Sequence, residues 1–374
     1  MHLLDATLFY APHSGGVKRY LGEKRRHCAA RGVRHTLLIP GACDATCDAT
    51  ITLASPAIPF GVGYRLPLRL GAWQRAIEDA APDAIEVGDP YPPAWAALRA
   101  AARLGVPAVA FAHSDLPRLM ASRCGAWAGH AADAYLRRLY SHFDAVWAPS
   151  RVIAMRLARA GVADVAVQPL GVDPEIFHPS RRDPALRAEL CLPESARLLI
   201  FAGRLAAEKR ISLLRTAVHH LGAPYHLLLV GGGAARRLDA RTTLLPYEQD
   251  SVALARLLAS SDALVHAGEH ETFGIVILEA MACARPVIGV AAGAIPELVD
   301  ERVGALADPG DAAALAAAIA DVYARDPDAL GAAARVRVER DYAWARTLDR
   351  QLETYARLLR RPQISAAGTT AEAG

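Results

Sequence analysis

Apolar residues come along this chain mainly as short unbroken runs, not as strict alternation. HLLDATLF (2–9), HTLLIP (35–40), AIEV (84–87), PAVAFAH (107–113) and AVWAPS (145–150) each read as a strand buried on both faces. Helical spacing fills the gaps at Val17–Ala30, Pro93–Leu104 and Ala132–His142. Strand, loop, helix, strand in this order predicts a parallel, doubly wound α/β sheet. The text changes at GVDPEIFHPSRRDP (171–184), where prolines, a glycine and charges crowd together as in a linker.

The first pattern then restarts. RLLIFA (197–202) reads as a strand, Gly203-Arg204 opens a loop and 210–220 is helical. YHLLLVGGG (225–233) and ALVHAG (263–268) supply further strands. The alanine-rich stretch 312–335 keeps helical spacing at Leu315, Ile319 and Val322. Tyr342, Trp344, Leu348, Leu352, Tyr355 and Leu359 form one stripe of a last helix. The expectation is two Rossmann-like domains, 1–172 and 173–341, facing across a cleft, with the helix at about 342–360 packing back on the first and a frayed tail at 361–374. Ligands of such sheets bind outside the carboxyl ends of the strands.

At 374 residues the chain is long enough for two domains. With 53% apolar and 22% charged residues it has a globular composition, and a net charge of +3 does not imply nucleic acid. The charge is uneven, however. Lys18, Arg19, Lys24, Arg25, Arg26, Arg31 and Arg34 stand against Asp5 and Glu23, so the first segment is either a solvated basic face or a surface for an anionic partner. Six cysteines form no CxxC pair, and Cys43 and Cys47 have no histidine at ligand spacing, which argues against zinc. No apolar run approaches the about 20 residues that span a bilayer, and the start does not read as a signal peptide, so a cytoplasmic setting is expected. PFGVGYRLPLRLGAWQR (59–75) mixes arginines with Tyr64, three leucines and Trp73; it reads as a connecting helix or as a peripheral membrane contact.

Candidate chemistry lies at the strand ends of the second half. Arg204 and Lys209 after the first strand could hold a diphosphate, although alone they fit surface salt bridges with Glu208 and a neighbour as well. Thr272-Phe273-Gly274 opens a helix whose free N–H groups suit an anion. Glu271 precedes that helix and Glu279 lies within it, both able to accept from hydroxyls. A carboxylate that only caps the helix and another on its outer face is the plainer alternative for that pair.

GRLAAEKR (203–210), VGGG (230–233) and ETFGIVILEAMACARPVI (271–288), joined by GGVKRYL (15–21), APSR (148–151) and GVDPEIFHP (171–179), resemble glycosyltransferase family 4, retaining enzymes with the GT-B fold. Within it, GEHETF (268–273) looks most like bacterial GDP-mannose-dependent α-mannosyltransferases that modify lipids. The resemblance implies a hexosyl transfer from a nucleotide sugar to a lipid or glycan hydroxyl, with UDP-sugars as the alternative donors. It implies that Arg204 and Lys209 hold the diphosphate, that Glu279 takes the ribose, and that Glu271 takes the sugar. The N–H groups of Phe273, Gly274 and Ile275 would lie near the distal phosphate, and the base near Gly231, Gly232 and Tyr247. Gly15 and Gly16, with Gly203 opposite in role, would let backbone approach the phosphates, and His113 would stand beside the reacting sugar. No cofactor or metal is implied; the one D-x-D text, Asp326-Pro327-Asp328, falls in a turn.

Two positions depart from the family pattern: Ala284-Arg285 where Gly-Thr is common, and Gly293-Ala294 where Gly-Gly is frequent. Two rivals remain. A nicotinamide enzyme is disfavoured because GGGAAR (231–236) lacks the last glycine of GxGxxG and no acid is read about 20 residues on at the next strand end. A non-catalytic nucleotide-sugar-binding module would keep affinity without turnover.

Overall fold

A computed structural model describes residues 1–10, 15–58 and 63–360. His13, Ser14, the start of the 59–75 segment and the expected tail lie outside the described residues. The chain divides into two compact units. The first comprises 1–148, 154–168 and the chain from Leu348; the second comprises 149–153 and 169–347. Segment 149–153 therefore belongs with the second unit, which one boundary at 172 does not describe. The reason is local: Ser150 Oγ donates to Thr272 O at 2.7 Å, and the N–H groups of Arg151 and Val152 each donate to the Glu297 carboxylate at 2.8 Å.

In the first unit the strands are β1 (His2–Ala6), β2 (Arg34–Gly41), β3 (Ala45–Cys47), β4 (Thr50–Ala54), β5 (Ala84–Val87), β6 (Ala108–Phe111), β7 (Ala145–Ala148) and β8 (Val165–Val167). Their order is β3-β4-β2-β1-β5-β6-β7-β8, parallel except where β3 pairs with β4. All five residues of β1 are buried, as a strand covered on both faces requires. The order reverses at β1, which pairs with both β2 and β5, so the crevice for a ligand opens above Ala6 and Val87.

The second unit holds β9 (Arg197–Ala202), β10 (Tyr225–Gly232), β11 (Arg236–Asp239), β12 (Thr242–Pro246), β13 (Ala263–His266), β14 (Val287–Val290) and β15 (Gly304–Ala307). They run β11-β12-β10-β9-β13-β14-β15, with only β11 antiparallel, and the order reverses at β9. The alanine-rich stretch is two helices, Ala312–Ala324 and Pro327–Asp341. Asp326 separates them by accepting from the N–H groups of Asp328 and Ala329, with Pro327 in the first turn. The D-x-D text is thus a helix cap.

Two segments of the first half bear on its expected anionic surface. In the basic segment several charges are paired. Lys24 is buried between Asp5 and Glu86, Arg31 donates to Asp349, Arg25 to Thr50, and Arg26 pairs with Glu23. In the described part of the 59–75 segment Leu66 and Leu68 are exposed, while Trp73, with Ile77 beyond it, is fully buried on the helix Leu70–Ala80. The connecting helix directs its apolar stripe into the core of the first unit. No described helix is long and apolar enough to cross a membrane.

Candidate active site

The second unit brings most of the candidate residues to the carboxyl edge of its sheet. Gly203, just past β9, and Gly231, near the end of β10, take φ of +145° and +148°, values that side-chain-bearing residues rarely adopt. A Cβ on Gly231 would stand 1.7 Å from the Gly203 carbonyl oxygen, so the two strand ends can meet only because this side chain is missing. The Tyr247 N–H donates to Gly232 O at 3.2 Å, which brings the 245–250 segment against the same glycines.

Beyond β9 the chain makes a short 3-10 turn, Ala207–Lys209. Arg210 then takes a left-handed φ of 52° and starts the helix at Ile211, one residue later than its apolar pattern suggests. This turn carries Lys209 to the end of β13, where its ammonium contacts Glu271 Oε1. His266, the last residue of β13, places Nε2 3.2 Å from the same oxygen. Its Nδ1 accepts the Gly268 N–H at 3.1 Å. Lys209 therefore pairs with Glu271 and not, as a surface group, with Glu208. Lys209 keeps 20% of its side-chain exposure, Glu271 12% and His266 only 1%.

The electrostatics follow from this burial. Desolvation pushes the Lys209 ammonium down to about 8, with the Arg204 guanidinium acting in the same sense and Glu208 opposing. Desolvation, helped by the Lys209 charge, lowers His266 to about 3, so its ring is neutral near pH 7. Arg204 itself is exposed beside the strand end.

The loop that carries Glu271 is fastened through its backbone. Gly293, at φ +58°, lies so close that a Cβ would come 2.8 Å from Glu271 O, and the Ala294 N–H donates to that oxygen at 3.0 Å. This accounts for the Gly293-Ala294 pair. Gly293 is the position that tolerates no methyl, whereas Ala294, with φ −84°, accommodates one. Gly274, at φ +94°, turns the chain into the helix Ile275–Ala282, and Phe273 before it is buried. Glu279 is 1% exposed, so a solvated helix face is not its reason. Ala284 takes φ 55°, which explains why glycine would be at ease there; Arg285 is buried and lies 3.9 Å from Asp328.

In the first unit Gly15, as N-cap, and Gly16, as first residue, open the helix Gly16–Ala30 after β1; neither takes a positive φ. His113 follows β6, its ring packed 4.1 Å from Phe111 and 5.2 Å from Tyr20. Burial lowers it to about 3, with the Lys24 charge adding. A Cβ on Gly88 would lie 3.4 Å from the His113 ring and 3.2 Å from Thr7 Oγ1. Asp89 accepts from the Thr7 hydroxyl at 2.8 Å and the Leu8 N–H at 2.6 Å, and burial raises it to about 6.

Sequence reasoning missed His266, Gly268, Thr7 and Asp89. Each ends a strand or stands within two residues of its end at the carboxyl edge, which was the available signal. Among the described residues no group of three His, Cys, Asp or Glu could hold a metal ion.

Comparison with known proteins gives a consistent picture. The model described as "Glycosyltransferase Family 4" matches residues 14–176, and that described as "Glycosyl transferases group 1" matches 196–325. A Mycobacterium tuberculosis protein named GDP-mannose-dependent alpha-(1-6)-phosphatidylinositol dimannoside mannosyltransferase is 31% identical over 373 residues, covering 95% of this chain and 96% of its own. A second protein from that organism, a GDP-mannose-dependent alpha-mannosyltransferase, is 34% identical over 314 residues, 81% of this chain and 82% of its own. Among solved structures, sucrose-phosphate synthase from Thermosynechococcus elongatus superposes with a TM-score of 0.80 at 22% identity, covering 96% of this chain and 99% of its own, which speaks to the fold.

Proposed function

This chain belongs to glycosyltransferase family 4, and from that premise we propose that it moves a mannosyl group from GDP-mannose to a hydroxyl of a lipid or glycan acceptor, with the anomeric configuration retained. It is a glycosyltransferase, which sets aside the nicotinamide enzyme and the non-catalytic module. The names of the two mycobacterial relatives support GDP-mannose over UDP-sugars, and the phosphatidylinositol dimannoside in one of them supports a lipid acceptor.

The observation that carries the mechanism is the Lys209–Glu271 pair at the end of β13, with Arg204 beside it. Two cations there suit the donor diphosphate. As the bond from the anomeric carbon to the β-phosphate oxygen breaks, its electron pair stays with the diphosphate, and the cations stabilise the charge that develops. The N–H groups of Phe273, Gly274 and Ile275 face the same kind of anion from a helix start. The acceptor oxygen then bonds to the anomeric carbon on the face the phosphate leaves, and its proton passes to the departing phosphate oxygen. Glu271 accepts from a sugar hydroxyl and Glu279 from the ribose, while Gly231, Gly232 and Tyr247 border the base. His113, held neutral, offers a hydrogen bond near the reacting sugar, and Gly15 and Gly16 give a backbone approach to phosphate. This arrangement supplies its positive charge from side chains and requires no metal.

The site is assigned to the cytoplasmic side, a setting that suits the free thiols of all six cysteines. A peripheral contact of the basic first domain with an anionic membrane is included, and the exposed Leu66 and Leu68, next to Arg65 and Arg69 in the sequence, support it. Sedimentation with anionic liposomes at low salt checks that part, and absence of binding removes it. Thermal shift with GDP, UDP, ADP and their sugar conjugates tests the donor. GDP-mannose should raise the melting temperature most, through mass action, and stabilisation by UDP-sugars alone would overturn the donor. The anomeric signals of the product report retention or inversion.

A further inference from the structure

We propose that His266 is a positioning residue that holds the Glu271 carboxylate in place for the donor sugar through its Nε2–H. The inference rests on the reading of Glu271 as the sugar contact and goes beyond it.

The tautomer can be deduced. Gly268 directs its backbone N–H at Nδ1 from 3.1 Å, so Nδ1 is an acceptor and carries no proton. A neutral ring must then carry its hydrogen on Nε2, the atom 3.2 Å from Glu271 Oε1. The ring cannot swing away easily. It is 1% exposed, stacks at a tilt 5.7 Å from Phe201, and leaves no room at Gly268, where a Cβ would lie 2.8 Å from its Cε1.

Both the Lys209 ammonium and the His266 nitrogen address Oε1, while Oε2 accepts from no described residue. One carboxylate oxygen is thus anchored and the other is presented for a hydroxyl. Two anchors have a purpose that one lacks. When a diphosphate arrives, Lys209 must face a second anion, and its hold on Glu271 weakens. His266 is neutral and has no use for the phosphate, so it keeps the carboxylate aimed while the lysine turns.

The full-length protein with His266→Phe, His266→Gln and Glu271→Gln tests this. Phenylalanine fills the ring's space without a donor; glutamine restores an N–H of similar reach. His266→Phe should bind GDP within about twofold of the parent, bind intact GDP-mannose more weakly, and lose about tenfold in kcat. His266→Gln should recover most of both. If His266→Phe transfers at the parental rate while Glu271→Gln does not, this proposal fails and the site reading stands; if Glu271→Gln is also unaffected, the site reading fails. If His266→Phe does not fold, His266→Gln alone decides, with near-parental transfer in support and a tenfold loss against. Nitrogen NMR of the ring gives an independent answer, since an Nδ1–H tautomer overturns the deduction.

Discussion

Two lysines of this protein each contact carboxylates, and their pKa values move in opposite directions. Lys24 of the first unit is 1% exposed and donates to Asp5 Oδ1 at 2.7 Å, Glu86 Oε2 at 2.9 Å and the Tyr355 hydroxyl at 3.1 Å. The carboxylates are served in turn: His35 lies 2.6 Å from Asp5, while Glu86 receives Tyr20 at 2.9 Å, Gln351 at 3.0 Å and Tyr355. Burial would lower the lysine, but its two carboxylates more than offset it and its pKa rises. Lys209 of the second unit contacts Glu271, and burial lowers its pKa to about 8, with Glu208 opposing and the Arg204 guanidinium adding to the fall. A closed network around Lys24 ties the last helix to the first unit. An open cluster around Lys209 still has capacity for an anion. A buried charge whose every neighbour is matched is architecture, and one left partly matched at a strand end is where a ligand fits.

Three measurements can break this contrast. The largest effect should come from Lys24→Met, which strands two buried carboxylates and should cost about 3–5 kcal/mol in urea unfolding. Adding Asp5→Asn and Glu86→Gln should return part of it, because the penalty is uncompensated charge. Lys209→Met should show the reverse split, with stability changed by under about 1 kcal/mol and transfer reduced by about 10²–10³-fold. Equal stability losses in the two variants would dissolve the distinction.

The smallest effect lies in the acid limb. His266 has its folded pKa lowered by burial to about 3, well below the ordinary imidazole value of 6.5. The unfolded chain therefore binds more protons below pH 6.5, and acid favours unfolding from there downward. His266→Phe should flatten the stability–pH curve between pH 6.5 and 4.5 by up to about 1.4 kcal/mol per unit. Asp5 behaves oppositely. Burial would raise it, but Lys24 and His35 hold it at about 2, so its contribution is full above 3.8 and lost only as pH falls through about 2.

Much of this was legible in the residues, and the limit has a physical cause. The parallel strands were readable because they are buried on both faces, and so were the candidate anion and hydroxyl contacts at their ends. Strands β3, β4, β8, β11, β12, β14 and β15 were not assigned. Those at the edges are short and mixed in polarity, and VIGV (287–290) is a short apolar run that periodicity does not separate from the helical text before it. What the sequence by itself determined was the pair of doubly wound sheets and the residues at their carboxyl ends, because burial period and glycine placement are local properties. Only the tertiary structure decided that Lys24 is fully buried while Lys209 keeps 20% of its side chain exposed, that Trp73 faces the core, and that His266 stands against Glu271. Those outcomes depend on contacts between residues 5 to 331 positions apart, and no local pattern encodes them.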